Sequence, residues 1–305
     1  MLGCSGCGDK PRKPRLAPSA VRADAAEAPG ASATGAGSAT TSASGPAAAA
    51  QAIVVPASVA GAGTRRPFVL LLHGYSGSGS ASARHFDLAG VGERRRFSWA
   101  APDGAVDRHG ARFWNAGPSC CDFDHSGVDH VAALAAILET ARANPAVDPE
   151  RLYVLGYSNG GFMAQRLACE LGHIAGIASV SGAAPADLSR CPTSPHTVIH
   201  AHGDADVSVH FEGGRVLDRT DVAPHPSVVE GMLGWARHVG CEARLSPLGR
   251  LDLEPATPGA ETQRLGVAGC ATRLELWRVG GGGHDIVATR AGFELLLSEL
   301  MGEPR

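Results

Sequence analysis

Short apolar runs and amphipathic helical patterns alternate along the chain from about residue 52 onward. Five of the runs have the length and composition of strands buried on both faces: FVLLLHG (68–74), RLYVLG (151–156), IAGIASVSG (174–182), HTVIHAHG (196–203) and TRLELWRV (272–279). Runs of this kind are typical of parallel strands that are covered by helices on both sides.

Apolar residues recur at helical spacing between and after these runs. The stripes are Val131, Leu134, Ala135 and Leu138; the segment GFMAQRLACE (161–170); Val228, Met232, Trp235 and Val239; and Phe293, Leu296, Leu297 and Leu300. Because strands alternate with helices, the pattern predicts an α/β fold with a doubly wound, mostly parallel sheet. We find no internal repeat.

The first fifty residues have a different composition. The stretch PGASATGAGSATTSASGPAAAA (29–50) is small, uncharged and aperiodic, so it offers too little apolar surface to offset the entropy of ordering. We therefore expect residues 1–50 to be a disordered tether and residues 51–305 to form a single α/β domain.

Localisation is indicated by the N-terminus and the cysteines. Leu-Gly-Cys at 2–4 matches the end of a bacterial lipoprotein signal, although the charged and apolar regions that normally precede it are missing. We expect an exported protein, whether periplasmic, surface-anchored or secreted, with lipid attachment at Cys4 or Cys7 left open. The alternative is an untargeted chain with a ragged start.

Six further cysteines lie beyond the tail, at 120, 121, 169, 191, 241 and 270. Their even number, without the close spacing of metal ligands, favours disulfides in an oxidising compartment over buried thiols.

Composition excludes several partners. The net charge is −3, only 5% of residues are aromatic, and no basic run extends beyond Arg94, Arg95 and Arg96, which argues against a nucleic-acid partner. No apolar stretch approaches the roughly 20 residues that span a bilayer. Composition leaves the oligomeric state open.

The segment GYSNG (156–160) follows a predicted strand and precedes a predicted helix. The spacing Gly-x-Ser-x-Gly allows a sharp turn that exposes the serine hydroxyl, because side chains at the glycine positions would meet neighbouring backbone. It predicts Ser158 as a nucleophile; the alternative is a purely structural glycine-rich turn.

A serine hydroxyl needs a base to take its proton. His284 follows the last predicted strand and the four glycines 280–283, which allow the chain to turn back over the edge of the sheet. Other histidines are weaker candidates, since His238 lies in a helical stripe and His196 and His225 stand beside prolines. We predict His284 as the base.

The acid that orients this base should follow an intermediate strand, and HTVIHAHG is followed by Asp204 and Asp206. Asp206 is preferred because the loop needs a few residues to leave the sheet and reach His284. A rival interpretation is that His200, His202 and Asp204 begin a zinc motif of the metallo-β-lactamase type. The last histidine of that motif is replaced by Ala205, and His200 would lie within a strand buried on both faces. The serine mechanism requires neither a metal nor an organic cofactor.

An oxyanion hole needs backbone N–H donors. The residue after the nucleophile, Asn159, would supply one donor. The loop HGYSGSGS (73–80) would supply the other from Tyr75 or Ser76, of which we choose Tyr75. The alternative is that this loop is a plain glycine-serine turn.

With these residues assigned, the chain resembles the secreted esterase family that includes polyhydroxybutyrate depolymerase-like, feruloyl and acetylxylan esterases. The resemblance covers residues 52–300 and is carried by PFVLLLHGYSGS, FWNAGPSCCDFD, VDPERLYVLGYSNGGFMAQRLACE, HAHGDADVSVHFEGG and GGGGH. It implies an α/β-hydrolase fold. Residue by residue, the family's serine, aspartate and histidine fall on Ser158, Asp206 and His284.

The chain departs from the family after the histidine, where x-Trp-Pro is replaced by Asp285, Ile286 and Val287. Ile286 is therefore expected in the substrate pocket in place of an aromatic ring, which makes a feruloyl substrate less favourable. Trp114 matches a family position and either borders the pocket or belongs to the core. The resemblance also implies a Cys241–Cys270 disulfide.

These features predict a serine carboxylic-ester hydrolase that acts on a small or polymer-borne ester through an acyl-enzyme. Two alternatives remain: a serine peptidase of the same fold, against which the lack of a propeller or cap domain counts, and a non-catalytic surface binding protein with a relic site.

Overall fold

The computed structural model describes residues 53–60, 63–253, 259–287 and 289–302. The tether predicted for residues 1–50, with Cys4 and Cys7, lies outside these residues. No helix in the described ranges has the length and apolarity needed to cross a bilayer.

An eight-stranded mixed sheet forms the centre of the described structure. The strands in chain order are β1 (Arg66–Leu72), β2 (Ser98–Ala100), β3 (Ala105–Val106), β4 (Arg112–Phe113), β5 (Val147–Tyr157), β6 (Gly176–Val180), β7 (Thr197–Gly203), β8 (Leu245–Leu251), β9 (Thr262–Val267) and β10 (Arg273–Val279). The order across the sheet is β2-β1-β5-β6-β7-β10-β9-β8, while β3 and β4 pair separately. The first six strands in that order run parallel, which confirms the mostly parallel sheet.

Helices cover both faces of the sheet. They are α1 (Ala57–Ala60), α2 (Gly79–His85), α3 (Leu88–Arg95), α4 (His130–Ala143), α5 (Asn159–Glu170), α6 (Val228–His238) and α7 (Arg290–Met301). The core on one face includes residues of α4, α5 and α6, and the core on the other face includes residues of α3 and α7. Alternate residues of β1 enter the two cores, with Leu70 in one and Leu71 in the other. Both faces of the strand are thus buried, as its continuous apolar run indicates.

Strands β8 and β9 are antiparallel to their neighbours and were not predicted from the sequence. Most positions of β8 are exposed or half-buried, and the strand contains Pro247 and Gly249. An edge strand needs no continuous apolar run, so the pattern that reveals the inner strands is absent here.

Disulfides join all six cysteines of the described domain. Cys169 in α5 is bonded to Cys191 in the segment before β7, and Cys241 after α6 is bonded to Cys270 before β10. The adjacent Cys120 and Cys121 are also joined. The Cys241–Cys270 pair is the one that the family resemblance implies.

Candidate active site

Ser158 occupies a sharp turn between β5 and α5. Its backbone has φ 53° and ψ −118°, a conformation that L-residues rarely adopt. A Cβ at Gly156 would lie 2.0 Å from the carbonyl oxygen of Gly160, and a Cβ at Gly160 would lie 2.3 Å from that of Leu72. Both glycines are therefore required for the close approach of the backbone that presents Ser158.

The structure brings together the three side chains that the sequence singles out. Ser158 Oγ lies 2.8 Å from Nε2 of His284, and Nδ1 of His284 lies 2.7 Å from Oδ2 of Asp206. Because a carboxylate only accepts hydrogen bonds, the proton of a neutral imidazole belongs on Nδ1. Nε2 is then free to accept the serine proton.

Asp204, the rival acid, has other partners. Its Oδ1 accepts a hydrogen bond from the Gly281 N–H at 2.7 Å, and its Oδ2 lies 3.0 Å from Nε of Arg278. Asp204 therefore helps to fix the loop that carries His284.

Close packing explains part of the glycine run before His284. Gly281 has φ +69°, and a Cβ at Gly282 would lie 2.8 Å from the Val279 side chain. A Cβ at Gly203, in the neighbouring strand, would lie 2.2 Å from the carbonyl oxygen of Gly282. Gly283 has open space around its Cβ position. Two of the four glycines are thus needed for the turn, and Gly203 allows the loop to approach β7.

The Asp206 carboxylate is buried, and both of its oxygens accept hydrogen bonds. Its Oδ1 accepts the backbone N–H groups of Ser208 at 2.8 Å and Val209 at 3.0 Å. Burial alone would raise the pKa of Asp206, but hydrogen bonds from His202, His284 and Val209 hold it well below its ordinary value. Because the pKa falls on folding, the ionised carboxylate stabilises the fold above its unfolded pKa, and this contribution is lost only as the pH drops through the lower folded value.

The two predicted oxyanion donors lie beyond the ends of two neighbouring strands, Tyr75 after β1 and Asn159 after β5. Asn159 begins α5, whose N-terminus favours negative charge nearby. The Ser76 N–H donates to the carbonyl oxygen of Arg112 at 2.8 Å, which leaves Tyr75 as the preferred donor in its loop. The Tyr75 hydroxyl donates a hydrogen bond to the Asp107 carboxylate. Burial and this hydrogen bond raise the pKa of Tyr75 to about 12, so the phenol stays protonated at neutral pH.

Trp114 belongs to the core and does not border an open pocket. Its side chain is 0% exposed, and its Nε1 donates to the carbonyl oxygen of His73 at 3.0 Å. Its backbone N–H and carbonyl bind the Asn159 side-chain amide at 2.7 and 2.8 Å. Placing Trp114 in the substrate pocket is thus wrong for the indole, because the ring is enclosed; its backbone instead steadies Asn159.

Ile286 does line a cavity. This apolar cavity, of about 500 Å³, is bounded mainly by Leu71, Leu72, Phe86, Tyr157, Ile286 and Val287, with Asp285 at its edge. Tyr157 directly precedes Ser158, and its hydroxyl is bonded to the carboxylate of Asp285, which directly follows His284. The cavity therefore adjoins the residues that flank both Ser158 and His284.

The zinc interpretation finds no support in the geometry. His200 and His202 are buried and contact each other, whereas Asp204 accepts a hydrogen bond from the Gly281 N–H. Within the described ranges, no three His, Cys, Asp or Glu side chains are grouped so that they could hold a metal ion.

Two polar contacts at the site were not predicted from the sequence. One joins His202 to Asp206, and the other joins Tyr157 to Asp285. The spacing of His202 four residues before Asp206 is the only signal that could have suggested the first contact, and it was considered only as part of a metal motif.

Comparisons with known proteins agree with this fold. A model of the Dienelactone hydrolase family matches residues 123–222. The solved acetyl xylan esterase from Aspergillus awamori superposes with a TM-score of 0.59 at 17% identity, over 82% of this chain and 92% of that one. The fold is therefore that of the α/β-hydrolases.

Two curated sequences are also similar. "Putative esterase NocK" of Nocardia uniformis subsp. tsuyamanensis is 28% identical over 72% of this chain and 65% of its own length. Feruloyl esterase B of Piromyces equi is 27% identical over 60% of this chain and 32% of its own length. This chain thus spans less than two thirds of either relative. The expected resemblance to α/β-hydrolase esterases is confirmed.

Proposed function

We propose that this protein is a serine carboxylic-ester hydrolase in which Ser158, His284 and Asp206 form the catalytic triad. The observation that carries the proposal is the unbroken series of contacts from Ser158 Oγ through the imidazole to the buried carboxylate, at 2.8 and 2.7 Å. Ser158 itself occupies a strained strand-to-helix turn, which is where α/β-hydrolases place the nucleophile of such a triad.

In the proposed reaction, Ser158 Oγ attacks the ester carbonyl while its proton passes to Nε2 of His284. The resulting oxyanion is stabilised by the N–H groups of Tyr75 and Asn159. Collapse of the tetrahedral intermediate breaks the ester C–O bond, and the imidazolium returns the proton to the departing alcohol. Water, deprotonated by His284, then attacks the acyl-enzyme and releases the acid and Ser158.

The cavity beside Tyr157 supports an uncharged ester as the substrate class. Its walls combine aliphatic side chains with the rings of Phe86 and Tyr157, and the carboxylate of Asp285 in its lining would repel an anionic substrate. The lack of an aromatic ring after His284 makes a feruloyl group less favourable than an acetyl or short alkyl group. The alcohol portion of the ester belongs either to a small molecule or to a polymer.

We also propose that the protein works outside the cytoplasm and that residues 51–305 are its catalytic domain. The three disulfides support this location, because such bonds persist in oxidising compartments.

Rapid mixing with 4-nitrophenyl acetate tests the activity. Because acylation by an activated ester outpaces deacylation, we expect a stoichiometric burst of nitrophenolate followed by slower turnover. Ser158→Ala should abolish both phases. Failure of the folded wild type to hydrolyse any short aliphatic ester, or undiminished hydrolysis by Ser158→Ala, would refute the proposal.

A further inference from the structure

A second imidazole contacts the carboxylate of the triad from within the core. Nε2 of His202 lies 3.2 Å from Oδ2 of Asp206, and both side chains are 0% exposed. Nδ1 of His284 touches the same oxygen at 2.7 Å. Oδ2 therefore lies between two imidazole rings, one at the proposed reaction centre and one behind it.

The neighbours of His202 determine which of its nitrogens carries the proton. Nε2 also lies 2.8 Å from the carbonyl oxygen of Val209, so it faces two groups that only accept hydrogen bonds. A proton on Nε2 satisfies both groups, whereas a lone pair there would be repelled by both. His202 is thus a hydrogen-bond donor to Asp206.

The contacts of Nδ1, the other ring nitrogen of His202, agree with this proton position. His200 Nε2 lies 3.1 Å from Nδ1 of His202 and 3.1 Å from the carbonyl oxygen of Gly182. A proton on His200 Nε2 serves both acceptors and leaves Nδ1 of His202 as the acceptor. N–H donors therefore run in one direction, from His200 through His202 to Asp206.

Three of the titratable groups around this pair carry no positive charge that could replace the donor. Burial lowers the pKa of His200 and of His225, so both are neutral at neutral pH. Tyr157 stays a neutral phenol because burial raises its pKa. The ring of His202 otherwise faces Phe211, at a centroid distance of 6.0 Å. The Arg278 guanidinium lies 5.3 Å from the Phe211 ring and is paired with Asp204. Asp206 itself is held by hydrogen-bond donors and by its contact with His284.

We propose that His202 is a positioning residue that controls how strongly Asp206 attracts the proton of His284. Each N–H donor to a carboxylate stabilises its charged form, so a second donor lowers the attraction of Asp206 for the proton of His284. His202 thereby keeps the imidazolium of His284 from being overstabilised, which keeps the base free at lower pH. This inference rests on the proposed triad.

Two variants of the full chain separate this role from simple packing. His202→Leu removes the donor with little change in side-chain size, whereas the amide of His202→Gln places an N–H where Nε2 stood. With His202→Leu we expect the acid limb of the kcat/KM profile to move to higher pH by roughly half a unit or more, with kcat reduced and KM little changed. His202→Gln should restore the wild-type limb.

A folded His202→Leu with the wild-type pH profile would overturn the inference. So would an equal loss of activity in both variants without a shift, because that result would indicate packing alone. If His202→Leu does not fold, His202→Asn replaces it, since its shorter amide reaches towards His200 but not Asp206.

The same shift is measurable without a substrate. NMR titration of ¹³C-labelled histidine, with the His284 signal assigned through His284→Ala, should show the ring of His284 titrating at higher pH in His202→Leu than in the wild type. An unchanged titration would contradict the role of His202. A shifted titration in a protein that hydrolyses no ester would count against the proposed function only.

Discussion

At the scale of single residues, variants of the two aspartates after β7 distinguish the proposed acid, Asp206, from its neighbour Asp204. Asp206→Asn should reduce kcat by about 10³- to 10⁴-fold, because an amide at this position no longer fixes the productive tautomer of a catalytic histidine. Steady-state kinetics on an activated ester would measure the loss.

Asp204→Asn is the matched control. Its side-chain oxygen can still accept the Gly281 N–H, and only the ion pair with Arg278 is weakened. Since that pair is partly exposed, we expect kcat within about threefold of the wild type. Equal losses in the two variants would contradict the assignment of Asp206 as the acid.

Residues that bear on the site were predictable where a local pattern specifies them. Gly-x-Ser-x-Gly indicates the position of Ser158, and the glycine run indicates a turn before His284. The burial of Trp114 was not predictable, because it depends on the rings of His73 and His130, which pack beside it from distant parts of the chain. The contact of His202 with Asp206 likewise depends on how the loop folds back on β7.

At the scale of elements, the position of His284 depends on how closely the glycine loop, residues 280–283, approaches β7. In Gly203→Ala, the new Cβ would lie 2.2 and 2.3 Å from the carbonyl oxygens of Gly282 and Gly283, so the loop must move. A displacement of about 1 Å at a catalytic group can cost about 100-fold in rate. We therefore expect kcat/KM to fall by about that factor, as measured on an activated ester.

Gly283→Ala is the control for this prediction, because its Cβ would meet open space beside the same histidine. It should retain most of the activity and the unfolding midpoint of the wild type. Wild-type activity in Gly203→Ala would show that the position of the loop does not limit catalysis.

The elements themselves were predictable to different degrees. The inner strands and helices α4 to α7 were evident because buried runs and one-sided stripes leave a periodic signal. Strands β8 and β9 lacked that signal, since β8 lies at the edge of the sheet and both strands have positions of mixed exposure, which resemble loops in sequence. The short pair β3 and β4 is fixed by its surroundings more than by its own two-residue strands.

At the scale of the whole molecule, all the proposed catalytic residues lie after the N-terminal fifty residues. Val54, near the start of the described residues, pairs with Trp99 of the edge strand β2. A chain lacking residues 1–50 should keep the unfolding midpoint and the rate on a soluble ester. Thermal unfolding and steady-state kinetics would measure both.

A chain lacking residues 1–60 is the comparison for this truncation. It also loses the Val54–Trp99 pairing and the buried Val59 side chain, so its unfolding midpoint should fall. Loss of activity on removing residues 1–50 alone would contradict the proposed domain boundary.

Labelling with a fluorophosphonate probe, followed by peptide mass spectrometry, tests the central claim most directly. The account predicts that the probe modifies Ser158 in the wild type and that most of this label is lost in His284→Ala, because the hydroxyl then lacks its base. A folded wild-type protein that takes up no label, or that carries the label on another residue, would contradict it.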